Sequence, residues 1–401
     1  HLGLIPIFDL VLCHMGSDAN ICQSHPEYFN FEEKDYPDIV LFDYSSEEKF
    51  LHIFETFWKS YIDKYIRLGF TGVRVDQAKP NKLPPFVQKH VYDYLRNKMN
   101  NACIIFAEVL FDNADVNQVS KELLPVEITH ITNSMYFKQS DAKARSDGTW
   151  NKGNSTLHEI GCKTSACQGR GGSIGFAGSH DGLTLACRVI ERDALRSKRL
   201  KFPMKFRKRA IVKQLKSTTN ISNSIAKKIV NENYAHNLTT SYCVEHIKSF
   251  GNEEKDNHLQ KIKEKITMVA FTSDGGWYLM CGDEFGCTSH CSVFLENYTG
   301  GTDFENRWGG EYDISQFIFE INNVIKQLPP VNIGEWCEHF YDEEHPQAFI
   351  VLKHFKDFPS CLVKPELIGK ICDRSGEPCT DIEVLCIATT IDNTPSISIT
   401  N

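Results

Sequence analysis

Short apolar runs alternate along the chain with longer segments whose apolar residues recur every three or four positions. Residues 2–12 and 103–107 are apolar runs of strand length, and another surrounds Val73. Segments 49–68 and 85–98 carry the three- and four-residue spacing that predicts amphipathic helices. Because strands that alternate with helices are typical of a parallel sheet, we predict an α/β fold.

Further segments continue this alternation. We predict helices at 116–124 and 258–270 and strands at 126–132 and 276–281. The long stretch over 16–46 is polar and predicts a loop. The predicted strands are short, apolar on both faces and followed by polar residues. This pattern is typical of a (β/α) barrel, whose chemistry collects at the carboxyl ends of its strands.

Composition narrows the class of protein. The 401 residues are 41% hydrophobic, enough for a large core, and their formal net charge is −8. An acidic balance argues against a general nucleic-acid binder and is compatible with a neutral substrate such as a sugar. No apolar run approaches the roughly 18 residues that span a bilayer. Nothing resembles a signal peptide either, so we predict no membrane partner and a cytoplasmic location.

Cysteine is abundant, with 15 residues, but scattered. The sequence contains no CxxC pair and no Cys/His cluster at zinc-finger spacing. Cys281, Cys287 and Cys291 form the densest group and lack partners at metal spacing. We therefore predict buried free thiols, no bound metal and no cofactor.

Polar residues lie at or near the ends of four apolar segments, the fourth of which is SIGFAG (173–178). These polar residues are Asp9 and His14, then Arg74, Asp76 and Lys79, then Glu108, and finally His180 and Asp181. Because burying an unpaired charge is costly, Arg74 and Asp76 are expected to be paired at a partly open site. Carboxylates from successive strands fit the cleavage of glycosidic bonds. There, one carboxylate attacks the anomeric carbon and another protonates the leaving oxygen.

These motifs, in this order, resemble the four signature regions of the α-amylase superfamily, glycoside hydrolase family 13. DLVLCHMG resembles the first region, GVRVDQAKP the second, FAEVL the third and GSHDGLT the fourth. WYLMCGDEFG is similar to the segment on the family's eighth strand, with matches at Gly282, Asp283, Glu284 and Gly286. The resemblance covers roughly residues 1–330.

The resemblance implies a role for each matched residue. Asp76 would be the nucleophile, Glu108 the general acid and then the base, and Asp181 a carboxylate that binds sugar hydroxyls and favours the transition state. Arg74 would keep Asp76 ionised, while the acid role needs a raised pKa at Glu108. The remaining matches would contact the sugar or brace the site: His14 and His180 at the sugar, Lys79 toward the acceptor, and Asp9 as a structural residue near Arg74.

Two departures from the family pattern have consequences. The asparagine that often helps to hold a calcium ion in the family is Cys13 here, so we predict no such calcium. The family's first region lies on the third barrel strand, whereas it opens this chain. We therefore predict a (β/α)8 TIM-type barrel that lacks its first two strands in this chain.

The predicted domains are a barrel at 1–335 and a small antiparallel β domain at 336–401, which ends as if truncated. A basic insertion at about 190–257 interrupts the barrel, and 194–216 is rich in Lys and Arg without an acidic residue. A solvated insertion is one interpretation of this charge run. An anion-binding or glucan-facing lid is the other.

Three functions remain open from the sequence. The resemblance implies a retaining α-glycosidase or transglycosidase that acts on α-1,4-glucan or maltooligosaccharides by double displacement. SHPEYF (24–29) and RVDQAKPNKLPPF (74–86) resemble bacterial maltosyltransferases that use α-maltose-1-phosphate. A non-catalytic glucan-binding remnant is the third hypothesis. The sequence does not distinguish hydrolysis from transfer, and it does not indicate an oligomeric state.

Overall fold

The structure is a computed structural model of the chain. It describes residues 4–32, 38–99, 103–109, 126–132, 172–178, 184–197, 243, 246–272, 276–287, 310–327, 336–341, 348–355 and 382–389. The chain divides into two compact units. The first contains the described residues up to Thr132 together with Gly172 and Ser173, and the second contains those from Ile174 onward.

Strands and helices alternate through the first unit. In chain order they are β1 (Ile7–Leu10), β2 (His14–Gly16), α1 (Asn20–Ser24), β3 (Phe29–Asn30), β4 (Ile39–Phe42), α2 (Glu47–Ile53), α3 (Lys59–Arg67), β5 (Gly72–Val75), α4 (Pro85–Lys98), β6 (Ile104–Ala107) and β7 (His130–Thr132). A π-helical turn, Phe54–Trp58, connects α2 to α3.

A parallel sheet forms the centre of the first unit, with the strands in the order β1, β5, β6, β7. Asp9 lies opposite Arg74 across the β1–β5 pair. The neighbouring strands pack closely at Gly72, where a Cβ atom would lie 3.0 Å from Ile104 Cβ and 3.1 Å from Ile7 Cγ1. The predicted parallel α/β class is confirmed, while closure into a barrel stays a prediction.

Two of the helices predicted in this unit form and bury their apolar faces. The predicted helix at 85–98 matches α4, which begins with proline in its first turn and ends before Met99. The predicted helix at 49–68 begins slightly earlier, because Ser46 Oγ accepts a hydrogen bond from the Lys49 amide at 3.2 Å. The buried side chains of these helices include Phe50, Phe54, Trp58, Ile62, Val87, Val91 and Leu95.

The prediction of a loop over 16–46 is wrong. β2, β4 and β3 form a small antiparallel sheet in that order. Along β4, Val40 and Phe42 are buried while Ile39 and Leu41 are partly exposed. In the sequence, these four residues are only a short apolar run without alternation, and the polar residues around the run favour a loop. Three predicted strands are also shorter in the structure: the one at 2–12 is Ile7–Leu10, the one at 126–132 is His130–Thr132, and the one at 276–281 is Gly276–Tyr278.

The second unit also contains helices and strands. They are β8 (Gly172–Phe176), which enters this unit at Ile174, α5 (Leu185–Arg196), α6 (Asn252–Thr272), β9 (Gly276–Tyr278), α7 (Ser315–Gln327), β10 (Trp336–Tyr341), β11 (Ala348–Phe355) and β12 (Ile382–Thr389). β8 and β9 pair in parallel. β10, β11 and β12 form an antiparallel sheet, as the sequence predicts for the C-terminal residues.

The segment that matches Gly-Asp-Glu-x-Gly positions a helix. Asp283 is buried, and its Oδ1 accepts a hydrogen bond from the Leu185 amide at 2.9 Å, at the start of α5. Burial raises the pKa of Asp283 to about 6, although the Leu185 amide lowers it. Gly178 lies so close that a Cβ atom there would be 2.8 Å from Asp283 Oδ2. In this unit Asp283 therefore anchors the first turn of α5.

Several sequence predictions fall outside the described residues or remain untested. The predicted helix at 116–124 and most of the basic stretch lie outside those residues. The domain boundary after 335 stays a prediction. Among the described cysteines, Cys281 is exposed and the others are buried thiols: Cys13, Cys22, Cys103, Cys187, Cys243 and Cys287. No described helix is both long and apolar enough to cross a membrane.

Candidate active site

Arg74 is the centre of a charged cluster in the first unit. Its Nη1 donates hydrogen bonds to Asp9 Oδ1 at 2.8 Å and to Asp76 Oδ1 at 2.8 Å. Its Nη2 forms an ion pair with Glu108 Oε1 at 2.5 Å. The guanidinium therefore contacts three carboxylates, which the fork of donors on an arginine side chain allows.

The parallel sheet brings these groups together. Val73 and Val75 are fully buried, while Arg74 between them points to the other face of β5. Asp76 follows two residues later and lies on the same side as Arg74. Glu108 lies one residue beyond β6, and its amide donates to the Val75 carbonyl at 2.9 Å. Residues distant in sequence thus meet where neighbouring strands end.

The carboxyl groups of Asp76 and Glu108 both contact Arg74 and lie close enough to share a hydrogen bond. Burial raises the pKa of Asp76 to about 7; Arg74 lowers this pKa, and the neighbouring Glu108 raises it. Two touching carboxyl groups favour a state in which they hold one proton between them. Arg74 thus pairs with Asp76 as expected, yet in this structure burial outweighs its effect on the pKa.

The turn after Asp76 was not identified from the sequence, yet it shapes the site. Gln77 adopts a left-handed backbone conformation with φ of 45°, which is uncommon for a residue other than glycine. In this conformation its amide donates to Glu108 Oε2 at 3.2 Å. The next amide, of Ala78, donates to the Glu108 carbonyl at 2.9 Å. The turn therefore fixes Glu108 relative to Asp76.

The side chain of Gln88 stabilises this turn through hydrogen bonds. Its side chain is fully buried in α4, and Nε2 donates to the carbonyls of Ala78 at 3.2 Å and Leu83 at 2.8 Å. Its Oε1 accepts a hydrogen bond from the Tyr92 hydroxyl at 3.1 Å. A buried glutamine with these partners is a positioning residue. No signal in the sequence distinguishes it from a surface glutamine.

His14 approaches the same site from the start of β2. Its Nδ1 lies 3.9 Å from Asp76 Oδ2 and 3.0 Å from Cys13 Sγ. The loop is anchored just before this point, because the Tyr44 hydroxyl donates to the Leu12 carbonyl at 2.8 Å. The predicted sugar-binding histidine is therefore held beside the predicted nucleophile.

Three further residues were predicted for the site: Lys79, His180 and Asp181. Lys79 is partly buried in the turn that follows β5, and its amide donates to the Gln77 carbonyl at 2.7 Å. His180 and Asp181 lie outside the described residues. The structure therefore brings together Asp9, His14, Arg74, Asp76 and Glu108, while the third carboxylate stays a prediction.

This arrangement has the groups that glycosyl transfer needs. A buried carboxylate held by an arginine can attack an anomeric carbon. A second carboxyl group in contact with it can hold the proton that the leaving oxygen requires. Among the described residues, Cys13, His14 and Asp76 also form a group whose ligand atoms lie within 4.8 Å of one another.

Comparisons with known proteins give distant likenesses in structure. A comparison with protein-family models finds no match, and neither does one with curated proteins. An α-amylase from Lactobacillus plantarum is 14% identical, with a TM-score of 0.49, covering 99% of this chain and 75% of that chain. A trehalose-6-phosphate hydrolase from Bacillus licheniformis is 11% identical, with a TM-score of 0.49, covering 96% of this chain and 75% of that chain.

A trehalulose synthase from Pseudomonas mesoacidophila is 10% identical, with a TM-score of 0.47, covering 96% of this chain and 75% of that chain. Because these likenesses are distant, the function is proposed from the residues of the site.

Proposed function

We propose that the chain is a retaining α-glycosidase or transglycosidase that acts on α-1,4-glucan or maltooligosaccharides. The observation that carries this proposal is the contact of Asp76 and Glu108 with each other and with Arg74. Double displacement at an anomeric carbon needs one carboxylate as the nucleophile and one carboxyl group that holds a proton, and Arg74 adds a fixed cation beside both. A (β/α) barrel would present these strand ends at its mouth.

In the first step, an Asp76 carboxylate oxygen bonds to the anomeric carbon while the glycosidic oxygen leaves with the Glu108 proton. In the second step, Glu108 removes a proton from water or from a sugar hydroxyl, which then displaces Asp76. We propose that His14 contacts the sugar bound beside Asp76 and that Lys79 contributes toward the acceptor. On the resemblance alone, Asp181 and His180 complete the site.

Substrate entry has to open the contact between the two carboxyl groups. Carboxyl groups in retaining enzymes are roughly 5–5.5 Å apart, farther than a hydrogen bond allows. Glu108 has the longer side chain, so its rotation is the simplest way to admit a sugar ring. The Gln77 amide and Arg74 would then set how far the Glu108 carboxyl group moves.

The proposal is tested with p-nitrophenyl maltooligosaccharides and the full chain. We expect new reducing ends, and proton NMR is expected to show the α anomer as the first product, because two inversions restore the configuration. A β anomer formed first would rule out a nucleophilic Asp76. Glucan binding without turnover would instead support a non-catalytic glucan-binding remnant.

The phosphate-donor transferase is the alternative that the motifs at 24–29 and 74–86 favour. Incubation with α-maltose-1-phosphate and glycogen distinguishes it from the hydrolase. Release of inorganic phosphate together with glycogen elongation marks the transferase. Cleavage of starch without phosphate dependence marks the hydrolase.

Turnover is expected to fall as pH rises above about 7, the pKa of Asp76 in this structure. Below that pH the proton that the leaving oxygen needs is retained where Asp76 meets Glu108, and above it Asp76 ionises and that proton is lost. The measurement is kcat/KM against pH in chelator-treated buffer, so that metal ions do not contribute. A profile that stays flat well above neutral pH would contradict this assignment.

A further inference from the structure

Cys13, His14 and Asp76 place three different metal-ligating groups at one point of the first unit. Cys13 Sγ lies 3.0 Å from His14 Nδ1, and His14 Nδ1 lies 3.9 Å from Asp76 Oδ2. All three ligand atoms lie within 4.8 Å of one another. The sequence did not indicate this group, because its third member comes from another strand.

The backbone holds the three groups in place. A bend at Cys13 turns two adjacent side chains toward the same region, and the Cys13 carbonyl accepts a hydrogen bond from the Phe42 amide at 3.1 Å. The Tyr44 hydroxyl binds the Leu12 carbonyl and accepts a hydrogen bond from Trp58 Nε1 at 2.9 Å. The loop is therefore fixed from two sides before any ligand binds.

The separations fit a small tetrahedral ion. Zinc bonds of about 2.0–2.3 Å to nitrogen, oxygen and sulfur place neighbouring ligand atoms roughly 3.3–3.7 Å apart. The observed 3.0 Å and 3.9 Å lie on either side of this range, and the third separation, between Cys13 and Asp76, is within 4.8 Å. Side-chain rotations that move the ligand atoms by roughly 1 Å would therefore bring all three to the distances of a zinc site. Three protein ligands leave the fourth position open, as in zinc sites that exchange a ligand.

The local charge also favours a cation. Asp9, Asp76 and Glu108 surround a single guanidinium, so the cluster carries more negative than positive charge when its carboxyl groups are ionised. Arg74 contacts Asp76 Oδ1, whereas Oδ2 is the oxygen that faces His14. Asp76 can therefore retain its hydrogen bond with Arg74 through Oδ1 while Oδ2 ligates a metal.

We propose that Cys13, His14 and Asp76 form a binding site for one Zn²⁺ ion. Metal binding itself does not depend on the proposed function. Its consequence does, because a zinc ion on Asp76 occupies the oxygen that would attack the sugar. Zinc would then be a reversible inhibitor that competes with the glucan, and a thiol would be part of the site that regulates the enzyme.

Cobalt binding tests the site directly, since Co²⁺ replaces Zn²⁺ and gives a near-ultraviolet charge-transfer band with a thiolate. We expect the full chain to show this band, to lose it in Cys13→Ser, and to bind Zn²⁺ at least about tenfold more weakly in calorimetry of that variant. Cys103→Ser is the matched control, because Cys103 and Cys13 are each 5% exposed. Cys103 precedes β6 at the opposite end of the sheet from Glu108.

The two variants also define the results that would contradict the inference. A band that survives Cys13→Ser, or that Cys103→Ser removes, would overturn the proposed site. In turnover assays, zinc is expected to raise the KM for the maltooligosaccharide in the unmodified chain, and a chelator is expected to reverse this, while Cys13→Ser responds at least about tenfold less. A Cys13-dependent band in a chain without turnover would support the metal site and count against the proposed function.

Discussion

The Asp76→Asn variant is expected to turn over maltooligosaccharides about 10⁴-fold more slowly than the unmodified chain, or worse. The amide keeps the shape of the side chain but cannot form the glycosyl ester on which double displacement depends. The initial rate of p-nitrophenol release measures the effect. Because asparagine also removes a buried carboxyl group, the variant is expected to remain folded, which circular dichroism checks.

A rescue experiment separates loss of the nucleophile from general damage. In Asp76→Ala, azide can enter the space left by the carboxylate and attack the anomeric carbon, and Glu108 still protonates the leaving group. The expected product is a β-glycosyl azide, since only one inversion occurs. Turnover that Asp76→Asn leaves within about tenfold of the original rate would remove Asp76 from the mechanism.

Asp93→Asn is the matched control for Asp76→Asn. Asp93 is also an aspartate that accepts from an arginine, Arg96 Nη2, at 2.7 Å, but it lies on α4 away from the strand ends. Arg96 and Lys89 lower the pKa of Asp93, although burial opposes them. The control is expected to lose little stability and to keep its rate, because a partly exposed ion pair contributes only about 0–1 kcal/mol.

The residues of the site were predictable from sequence where one strand sets their spacing. Arg74 and Asp76 are two positions apart, so strand geometry alone places them on one face. Their meeting with Asp9 and Glu108 follows from parallel strands that lie side by side. These predictions depend on the spacing of residues within a strand and on the order of the strands along the chain, and a single sequence shows both.

The supporting residues could not be predicted in this way. Gln88 acts through carbonyls of a turn that packs on α4, and Gln77 acts through a backbone conformation that its residue type does not favour. Cys13 appears in the sequence only as a departure from a family pattern. Its position beside His14 and Asp76 depends on a bend and on the anchoring of Leu12. Such contacts depend on how distant segments pack.

The strand β4 likewise could not be predicted, because it too depends on contacts with other segments. Its four residues alternate in burial, yet the polar sequence around them favours a loop, and only the antiparallel neighbours on both sides stabilise so short a strand. The predicted helix at 85–98, in contrast, combines proline in its first turn with three turns of apolar spacing. Long periodic segments are therefore predictable, whereas short strands depend on their partners.

A second large effect is expected on stability: replacing Arg74 with methionine should destabilise the fold by about 3–5 kcal/mol at pH 8. Methionine fills much of the volume but leaves three carboxylates without their cation. Without Arg74, the pKa of Asp76 rises further above its usual value. An acid with a raised pKa in the folded state loses stability as pH rises, since the unfolded chain ionises first.

The loss is therefore expected to shrink as pH falls toward about 5, where Asp76 binds a proton and depends less on the cation. Urea unfolding of the variant and of the unmodified chain at both pH values measures this difference. An equal loss at both pH values would mean that Arg74 stabilises by packing alone.

Arg96→Met is the control that makes this test specific to the site. The Arg96 side chain is 11% exposed and that of Arg74 17%, so the two substitutions remove similarly buried guanidinium groups. Arg96, however, pairs closely with a single, more exposed carboxylate and donates to the Glu127 carbonyl at 3.0 Å. Its loss is expected to cost less and to change little between the two pH values. Only the arginine that holds touching carboxyl groups together should show a pH-dependent loss, because only there does a buried proton replace the cation.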